Sequence, residues 1–290
     1  FSIGLIGQAW VLVALAFAAN ALGDDRLNCL AVEVFFLDPF DVVSGRCRVV
    51  NVDGSYAPVD KSFNHQLWFA AAGGFLLGNA AIRHQVRRFM DKLDANLEIY
   101  DNGLIVHGLA GGQPLKQPLK TRLKRAIKPM LRRGGGAGYM GGVINKAVGY
   151  HAFNTYAFSL LYENLNDHAF WESDTLARIL SFPLTDAYRD GMDYFVADSA
   201  GKGKTLPFNR FGYPYNPPGI EMAFTLQTFR EHYGSKYEDL IRLWLSRQIE
   251  RTYDTGTGLM NRQTDDAATL AARLYEAVRL EDYELEFEKN

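Results

Sequence analysis

Two kinds of apolar pattern alternate along this chain, and they predict two kinds of helix. In the first kind apolar residues surround the whole helix, as in residues 9–19, 67–77, 153–161 and 222–229. In the second kind they form one stripe, as in Ile82, Val86, Phe89 and Leu93, or in Leu240, Ile241, Trp244, Leu245 and Ile249. A helix that is apolar all round is normally enclosed by other helices. The sequence therefore predicts inner helices and outer helices that each pack one face inward.

The predicted inner helices begin near Gly7, Ser62, Gly149, Gly219 and Thr264. Their spacing of about 45 to 90 residues is too loose for a short-period solenoid. Alternating inner and outer helices predict an all-α fold, an incomplete or complete α/α toroid of helical hairpins; a two-layer helical array is the alternative. No linker divides residues 1–290, so a single domain is predicted. The chain begins without Met, which leaves open whether an upstream segment is missing.

Residues 97–109 predict a small β-hairpin decoration on the helical fold. Alternating apolar residues flank the turn Asp101-Asn102-Gly103, and Asn-Gly is a strong hairpin signal.

The composition limits the kinds of partner and cofactor that we expect this chain to bind. The 290 residues are 48% hydrophobic, enough for a large core, and a net charge of −2 gives no general attraction to nucleic acid or anionic membrane. The two cysteines, Cys29 and Cys47, have no metal-ligand spacing, and the GxGxxG, GxxxxGK[ST] and GxSxG motifs are absent. We expect no metal and no cofactor.

Residues 4–22 are apolar and Ala-rich, like the core of a signal peptide, but lack a basic start and contain Gln8, Trp10 and Asn20. We interpret them as a buried helix and expect no membrane span; a signal or membrane segment is the alternative. The compartment stays unknown, with the cytoplasm slightly favoured over secretion.

A basic segment, residues 116–133, holds eight Lys or Arg and no acid, and a glycine-rich run follows it. One interpretation is a solvated helix and loop. The other is that the segment attracts a polyanion at the mouth of the site. It lacks the interleaved aromatic residues of a nucleic-acid platform, so no nucleic-acid partner is expected.

Polar and aromatic residues cluster where the inner helices begin. Ser62 is a candidate N-cap, which places Asn64 and His65 in a first helical turn. Similar clusters open the next helices, and a ring would bring them together at one mouth. The alternative is that these side chains only satisfy backbone groups and pack loops. The predicted catalytic residues are Asn64, His65, Tyr150, His151 and Glu221. The predicted substrate-binding residues are Trp10, Trp68, Asn154, Arg210, Tyr213, Tyr215 and Asp265.

Two segments carry a family resemblance. SFNHQLWFAAAGGFLL resembles the Asn-His element that opens an inner helix in the heparinase II/III-like and alginate-lyase-like α/α-toroid polysaccharide lyases, and GYHAFNTYAFSLL is similar to the Tyr-His element that follows there. The resemblance implies that Asn64 neutralises a uronate carboxylate. It further implies that His65 and Tyr150 remove the C5 proton and protonate the leaving oxygen. Phe63 departs from the family pattern, since a second polar residue is common at its position.

The functional prediction is an enzyme that cleaves a uronate-containing polysaccharide or oligosaccharide by β-elimination. Six-hairpin glycosidases share the ring architecture, so a glycoside hydrolase with paired carboxylates is the first alternative; its candidates are Asp60, Glu221, Asp265 and Asp266. A non-catalytic glycan-binding or assembly protein is the second. Each predicts a glycan partner, most simply an anionic one, and none fixes the oligomeric state.

Overall fold

A computed structural model of the chain describes residues 4–110, 139–193, 208–264 and 266–285. Within these residues the fold is predominantly α-helical, with one small sheet of three antiparallel strands. The all-α prediction is confirmed at this level. The basic segment 116–133 and the predicted site residue Asp265 lie outside the described residues.

The chain divides by its internal contacts into two compact units. Among the described residues, the first unit comprises 4–98, 106–110 and 160–176, and the second comprises 99–105, 139–159, 177–193, 208–264 and 266–285. The prediction of a single domain over residues 1–290 stays a prediction.

The first unit contains most of the N-terminal helices and the sheet. Its elements are α1 (Gly4–Leu22), α2 (Asp25–Phe35), β1 (Phe40–Asp41), β2 (Arg46–Val50), β3 (Tyr56–Val59), α3 (Phe63–Gly74), α4 (Ala80–Asp91) and the single turn α5 (Leu93–Asn96). The strand order is β1-β2-β3, with Phe40 opposite Cys47 and Arg48 opposite Val59. The sequence did not predict this sheet.

The inner and outer patterns hold for α3 and α4. In α3 every residue except His65 is buried, as expected for a helix that is apolar all round. In α4 the buried residues are Ile82, Val86, Phe89 and Met90, which form one stripe, and the Asn79 side chain caps its N-terminus by accepting from the backbone of Ala81 and Ile82.

Helix α1 is less enclosed than the sequence predicted. Helices α2 and α3 pack on one side of it, where Leu5, Ala9 and Leu12 are buried, while Val11 and Phe17 are exposed. By length and composition alone, its 19 residues with a mean hydropathy of 1.9 could cross a membrane. One or two such helices are weak evidence for a membrane span, because core helices and signal sequences share these properties.

The second unit is helical. Its elements are α6 (Tyr139–Gly149), α7 (His151–Asn164), α8 (Asp174–Ser181), α9 (Asp186–Met192), α10 (Pro218–Thr228), the single turn α11 (Arg230–Tyr233), α12 (Tyr237–Thr252) and α13 (Ala267–Ala272), followed by a 3₁₀-helix, Arg273–Arg279. The last residues of α7 and the first of α8 belong to the first unit. Helix α10 packs mainly on α12, and residues 151–159 of α7 are all buried. Both helices confirm the inner pattern.

The predicted hairpin is present in minimal form. Ile99 and Ile105 form an isolated antiparallel bridge around the turn at residues 101–103. Gly103 has a φ of 90°, a conformation that glycine adopts without strain. The turn chemistry was therefore predicted, although no continuous strand follows it.

Candidate functional site

In the first unit, the carboxylate of Asp60 lies between the end of the sheet and the start of α3. Asp60 directly follows β3, and its Oδ2 lies 2.7 Å from Nδ1 of His65, while its Oδ1 accepts the Ser62 amide at 2.8 Å. Burial acts to raise the pKa of Asp60, but the hydrogen bond and charge of His65 and the hydrogen bonds from Ser62 together outweigh it and hold the pKa below its ordinary value. An ionised Asp60 accepts from Nδ1, so a neutral His65 presents the lone pair of Nε2.

The neighbouring polar residues of α3 are buried. Gln66 binds β2 through its side chain, and Asn64 is 2% exposed with no hydrogen-bond partner for Oδ1 among the described residues. Ser62 occupies the predicted N-cap position, but its side chain makes no capping hydrogen bond within the described structure. The sequence thus placed Asn64 and His65 correctly in the first turn. It missed Asp60 as the partner of His65.

In the second unit, His151 is fully buried at the start of α7. Its Nδ1 accepts from the Ile105 amide at 3.4 Å, and its Nε2 lies 3.1 Å from the Ile179 carbonyl oxygen. Burial lowers the pKa of His151 to about 4. Because both ring nitrogens of His151 form hydrogen bonds with backbone groups, this geometry is typical of a structural histidine. The predicted catalytic role of His151 stays a prediction.

A buried charge cluster lies at the start of α10. Arg273 donates to Oε1 of Glu221 at 2.5 Å, to Oε1 of Glu276 at 2.7 and 2.9 Å, and to Oδ1 of Asn216 at 2.5 Å. Glu221 and Glu276 are fully buried, and Arg273 is 3% exposed with its guanidinium 4.9 Å from the centre of the Phe153 ring. We call Glu221, Arg273 and Glu276 the acidic cluster.

The acidic cluster has two carboxyl groups but one guanidinium. Burial raises the pKa of Glu221 to about 8, against which Arg273 acts, and burial also raises the pKa of Glu276. Each carboxyl has one buried oxygen, Oε2, without a hydrogen-bond partner among the described residues. One of the two groups therefore holds a proton near neutral pH, a state suited to proton transfer.

Aromatic residues lead from the acidic cluster toward solvent. Tyr150 has its ring centre 6.2 Å from that of Tyr215 and 5.9 Å from that of Phe211. Tyr215 is 39% exposed, and the next residue, Asn216, binds Arg273. Burial raises the pKa of Tyr150, and Tyr215 adds to the shift, so Tyr150 stays a neutral hydrogen-bond donor. We call Tyr150, Phe211 and Tyr215 the aromatic wall.

The remaining predicted site residues are dispersed. Trp10 and Trp68 belong to the first unit, and Trp68 is fully buried. In the second unit Asn154 is buried with Oδ1 unpaired within the described structure, and Arg210 is exposed. Tyr213 is fully buried and lies under the Arg251 guanidinium rather than in the aromatic wall.

Three predicted residues, Tyr150, Tyr215 and Glu221, do come together in the second unit. Asn64 and His65 lie in the first unit, so their convergence with Tyr150 stays a prediction. Arg273 and Glu276 were not predicted, because they lie more than fifty residues after Glu221 in what reads as an ordinary amphipathic segment. An arginine within the apolar run LAARLYEA was the available signal.

No group of His, Cys, Asp and Glu residues suited to a metal ion occurs in the parts of the chain that the structure describes. The polar side chains described in each unit are suited to proton transfer and hydrogen bonding.

Comparison with known proteins identifies one informative relative, and no family model matches the chain. Archaeal glycosylation protein Q of Haloferax volcanii is 38% identical over 298 aligned positions, which cover 97% of this chain and 73% of the relative. Its name points to glycosylation. The predictions of a uronate-cleaving lyase and of a glycoside hydrolase are therefore wrong.

The match covers nearly all of this chain, and so both of its units, and more than two thirds of the relative. The chain belongs to the family of archaeal glycosylation protein Q.

Proposed function

We propose that this protein acts in a glycosylation pathway, where its second unit binds a glycan and transfers a proton on it. The observation that carries the proposal is the acidic cluster next to the aromatic wall. The name of the 38% identical relative supports the pathway, and the site supports the type of ligand.

The aromatic wall suits a sugar ring. Tyrosine offers a flat apolar face together with a polar tip, which matches the apolar face and hydroxyl groups of a pyranose. Tyr215 is accessible, and Tyr150, whose ring packs against that of Tyr215, keeps a neutral hydroxyl that can donate a hydrogen bond. The glycan would therefore stack on Tyr215 and bind a hydroxyl to Tyr150.

The acidic cluster suits proton transfer. A carboxyl group with a pKa of about 8, as in Glu221, holds its proton at neutral pH and releases it readily, which is the requirement for a general acid. Arg273 keeps the second carboxylate paired, and Tyr150 lies near enough to Arg273 and Glu221 for their charges to act on its hydroxyl. That the protein is an enzyme is thus part of the proposal.

His65 is a second proton-transfer candidate, in the first unit. Asp60 orients the His65 imidazole as a carboxylate orients the histidine of many acid–base sites.

We also propose that the helical hairpins form the predicted toroid. A crystal structure with Ser62 and Gly219 at opposite ends of the molecule would contradict this part of the proposal.

The binding step can be tested by calorimetric titration with neutral and uronate-containing oligosaccharides. Tyr215→Ala should weaken the best ligand about 3- to 10-fold through the lost stacking. Tyr253→Ala is the matched control, because Tyr253 is a similarly exposed tyrosine of the same unit. Equal losses in both variants would remove the aromatic wall as the binding surface.

The catalytic step can be tested with the bound oligosaccharide in heavy water, by mass spectrometry of the glycan. Glu221→Gln should bind but leave the glycan unchanged, and His65→Ala tests the first-unit candidate in parallel. If the wild-type protein binds the glycan without altering it or incorporating deuterium, the enzyme proposal fails and the binding proposal survives.

A further inference from the structure

Two arginines of α12 share one carboxylate at the end of α9. Nη2 of Arg247 donates to Oδ2 of Asp193 at 2.6 Å, and Nη2 of Arg251 donates to Oδ1 at 2.9 Å. The arginines are four residues apart, so they lie side by side on one helix face. We call Arg247, Arg251 and Asp193 the arginine pair site.

Aromatic rings hold both guanidinium groups in place. Arg247 lies 5.6 Å from the centre of the Trp244 ring, and Arg251 lies 5.2 Å from that of Phe208 and 5.0 Å from that of Tyr213. Stacking of this kind fixes the guanidinium plane and leaves its edge to donate hydrogen bonds. Tyr213 thus supports Arg251, and its predicted substrate-binding role stays a prediction.

Among the residues that the structure describes, the charge of the arginine pair site is not balanced. Two guanidinium groups face one carboxylate, which leaves one net positive charge on side chains that are only 16% exposed for each arginine and 38% for Asp193. The Nε atoms of both arginines are buried and have no hydrogen-bond partner among the described residues. An unpaired charge and unpaired donors at a mostly buried site are unfavourable unless an anion completes them.

We propose that Arg247 and Arg251 bind an oxyanion group, either a carboxylate as in an acidic sugar or a phosphate. Guanidinium matches both because its donors form a planar fork. The remaining exposure of the two side chains gives a small anion access to them. The site does not depend on the proposed function, since simple anions test it without any glycan turnover.

Thermal unfolding and calorimetric titration with inorganic phosphate and with glucuronate test the site, at an ionic strength held constant with sodium chloride. We expect at least one anion to raise the Tm by several degrees at millimolar concentration, and its identity separates a phosphate site from a carboxylate site. No shift beyond that of sodium chloride for either anion would overturn the proposal.

Variants separate a binding site from a structural ion pair. Arg251→Gln should lose most of the anion-dependent shift, whereas Arg242→Gln should keep it, because Arg242 lies on the same helix but is exposed and paired with Glu238 and Asp239. Circular dichroism and the urea midpoint without anion report whether each variant folds.

Asp193→Asn gives the deciding result. It removes the competing carboxylate, so anion affinity should rise severalfold while the folded protein becomes less stable without anion. A purely structural pair predicts this loss of stability together with no anion-dependent shift in the wild type. An Asp193→Asn protein that binds both anions no more tightly than the wild type would overturn the proposal, even if Arg251→Gln fails to fold.

Discussion

Arg273 donates from both Nε and Nη2 to the same oxygen of Glu276, Oε1. Together with the bond to Glu221, this places one guanidinium between two carboxyl groups that are fully buried. Arg273 is therefore the counter-ion on which both depend.

Arg273→Met should destabilise the protein by about 3–5 kcal/mol, because it leaves two buried carboxyl groups without a positive charge. The free energy of unfolding in urea measures this loss. The control is Arg242→Met, which removes an exposed arginine of the i,i+4 pair with Glu238 and should change stability by less than about 1 kcal/mol. Similar effects of the two variants would contradict the role of the cluster.

Glu221→Gln should flatten the pH dependence of stability. Burial raises the pKa of Glu221 from 4.5 to about 8, so its contribution is fully present below pH 4.5 and is lost as the pH rises through 8. Urea unfolding at pH 5, 7 and 9, values that span this window, should show a smaller decline in the variant than in the wild type. An identical decline would mean that Glu221 is ionised throughout.

His151→Gln should reduce the loss of stability at low pH, which is the opposite end of the pH range from Glu221. Burial lowers the pKa of His151 from 6.5 to about 4, so its contribution is present above pH 6.5 and is lost as the pH falls through 4, by up to about 3 kcal/mol. Glutamine can keep one donor and one acceptor but does not titrate. Asp38, whose pKa burial raises to about 6, acts in the opposite direction, so only the difference between variant and wild type isolates His151.

Gly219→Ala should destabilise the second unit by about 2–3 kcal/mol. A Cβ at Gly219 would lie 2.3 Å from the Trp244 carbonyl oxygen and 2.5 Å from Cβ of Gln248, so α10 and α12 would have to separate. Gly142→Ala is the control, because that exposed position in α6 has open space and alanine favours a helix. Urea unfolding should find the control unchanged or stabilised by up to about 1 kcal/mol.

The inner helices could be predicted because a helix that is buried on all sides has apolar residues on all sides, and this pattern is visible in the sequence. Apolar or small residues predominate in α3, in residues 151–161 of α7 and in α10, and most residues of these segments are buried as expected. The α12 stripe was predicted less well. Ile241 and Trp244 are buried as expected, but Gln248 and Thr252 take the next buried positions, because they bond to each other and Gln248 also accepts from the Gly219 amide.

The partners of site residues could not be predicted, because they depend on long-range pairing. Glu221 was visible at a helix start, but nothing near it in sequence indicates Arg273, which lies 52 residues away. The pairing of Asp60 with His65 spans only five residues, yet it depends on the direction in which β3 enters α3. The sheet itself was missed because β2 and β3 are short and partly polar.

Gln66 interrupts the apolar surface of α3, and its amide exchanges two hydrogen bonds of 2.8 Å with the backbone N–H and carbonyl of Cys47 in β2. The side chain supplies hydrogen-bonding partners to Cys47, which lies just beyond the last pair of β2 with β3, Arg48 and Val59. Glutamate would offer the acceptor without the donor, and asparagine is one methylene shorter. The junction of helix and sheet is therefore specified by a donor–acceptor match rather than by hydrophobicity, and spontaneous deamidation of this one amide would be enough to undo it.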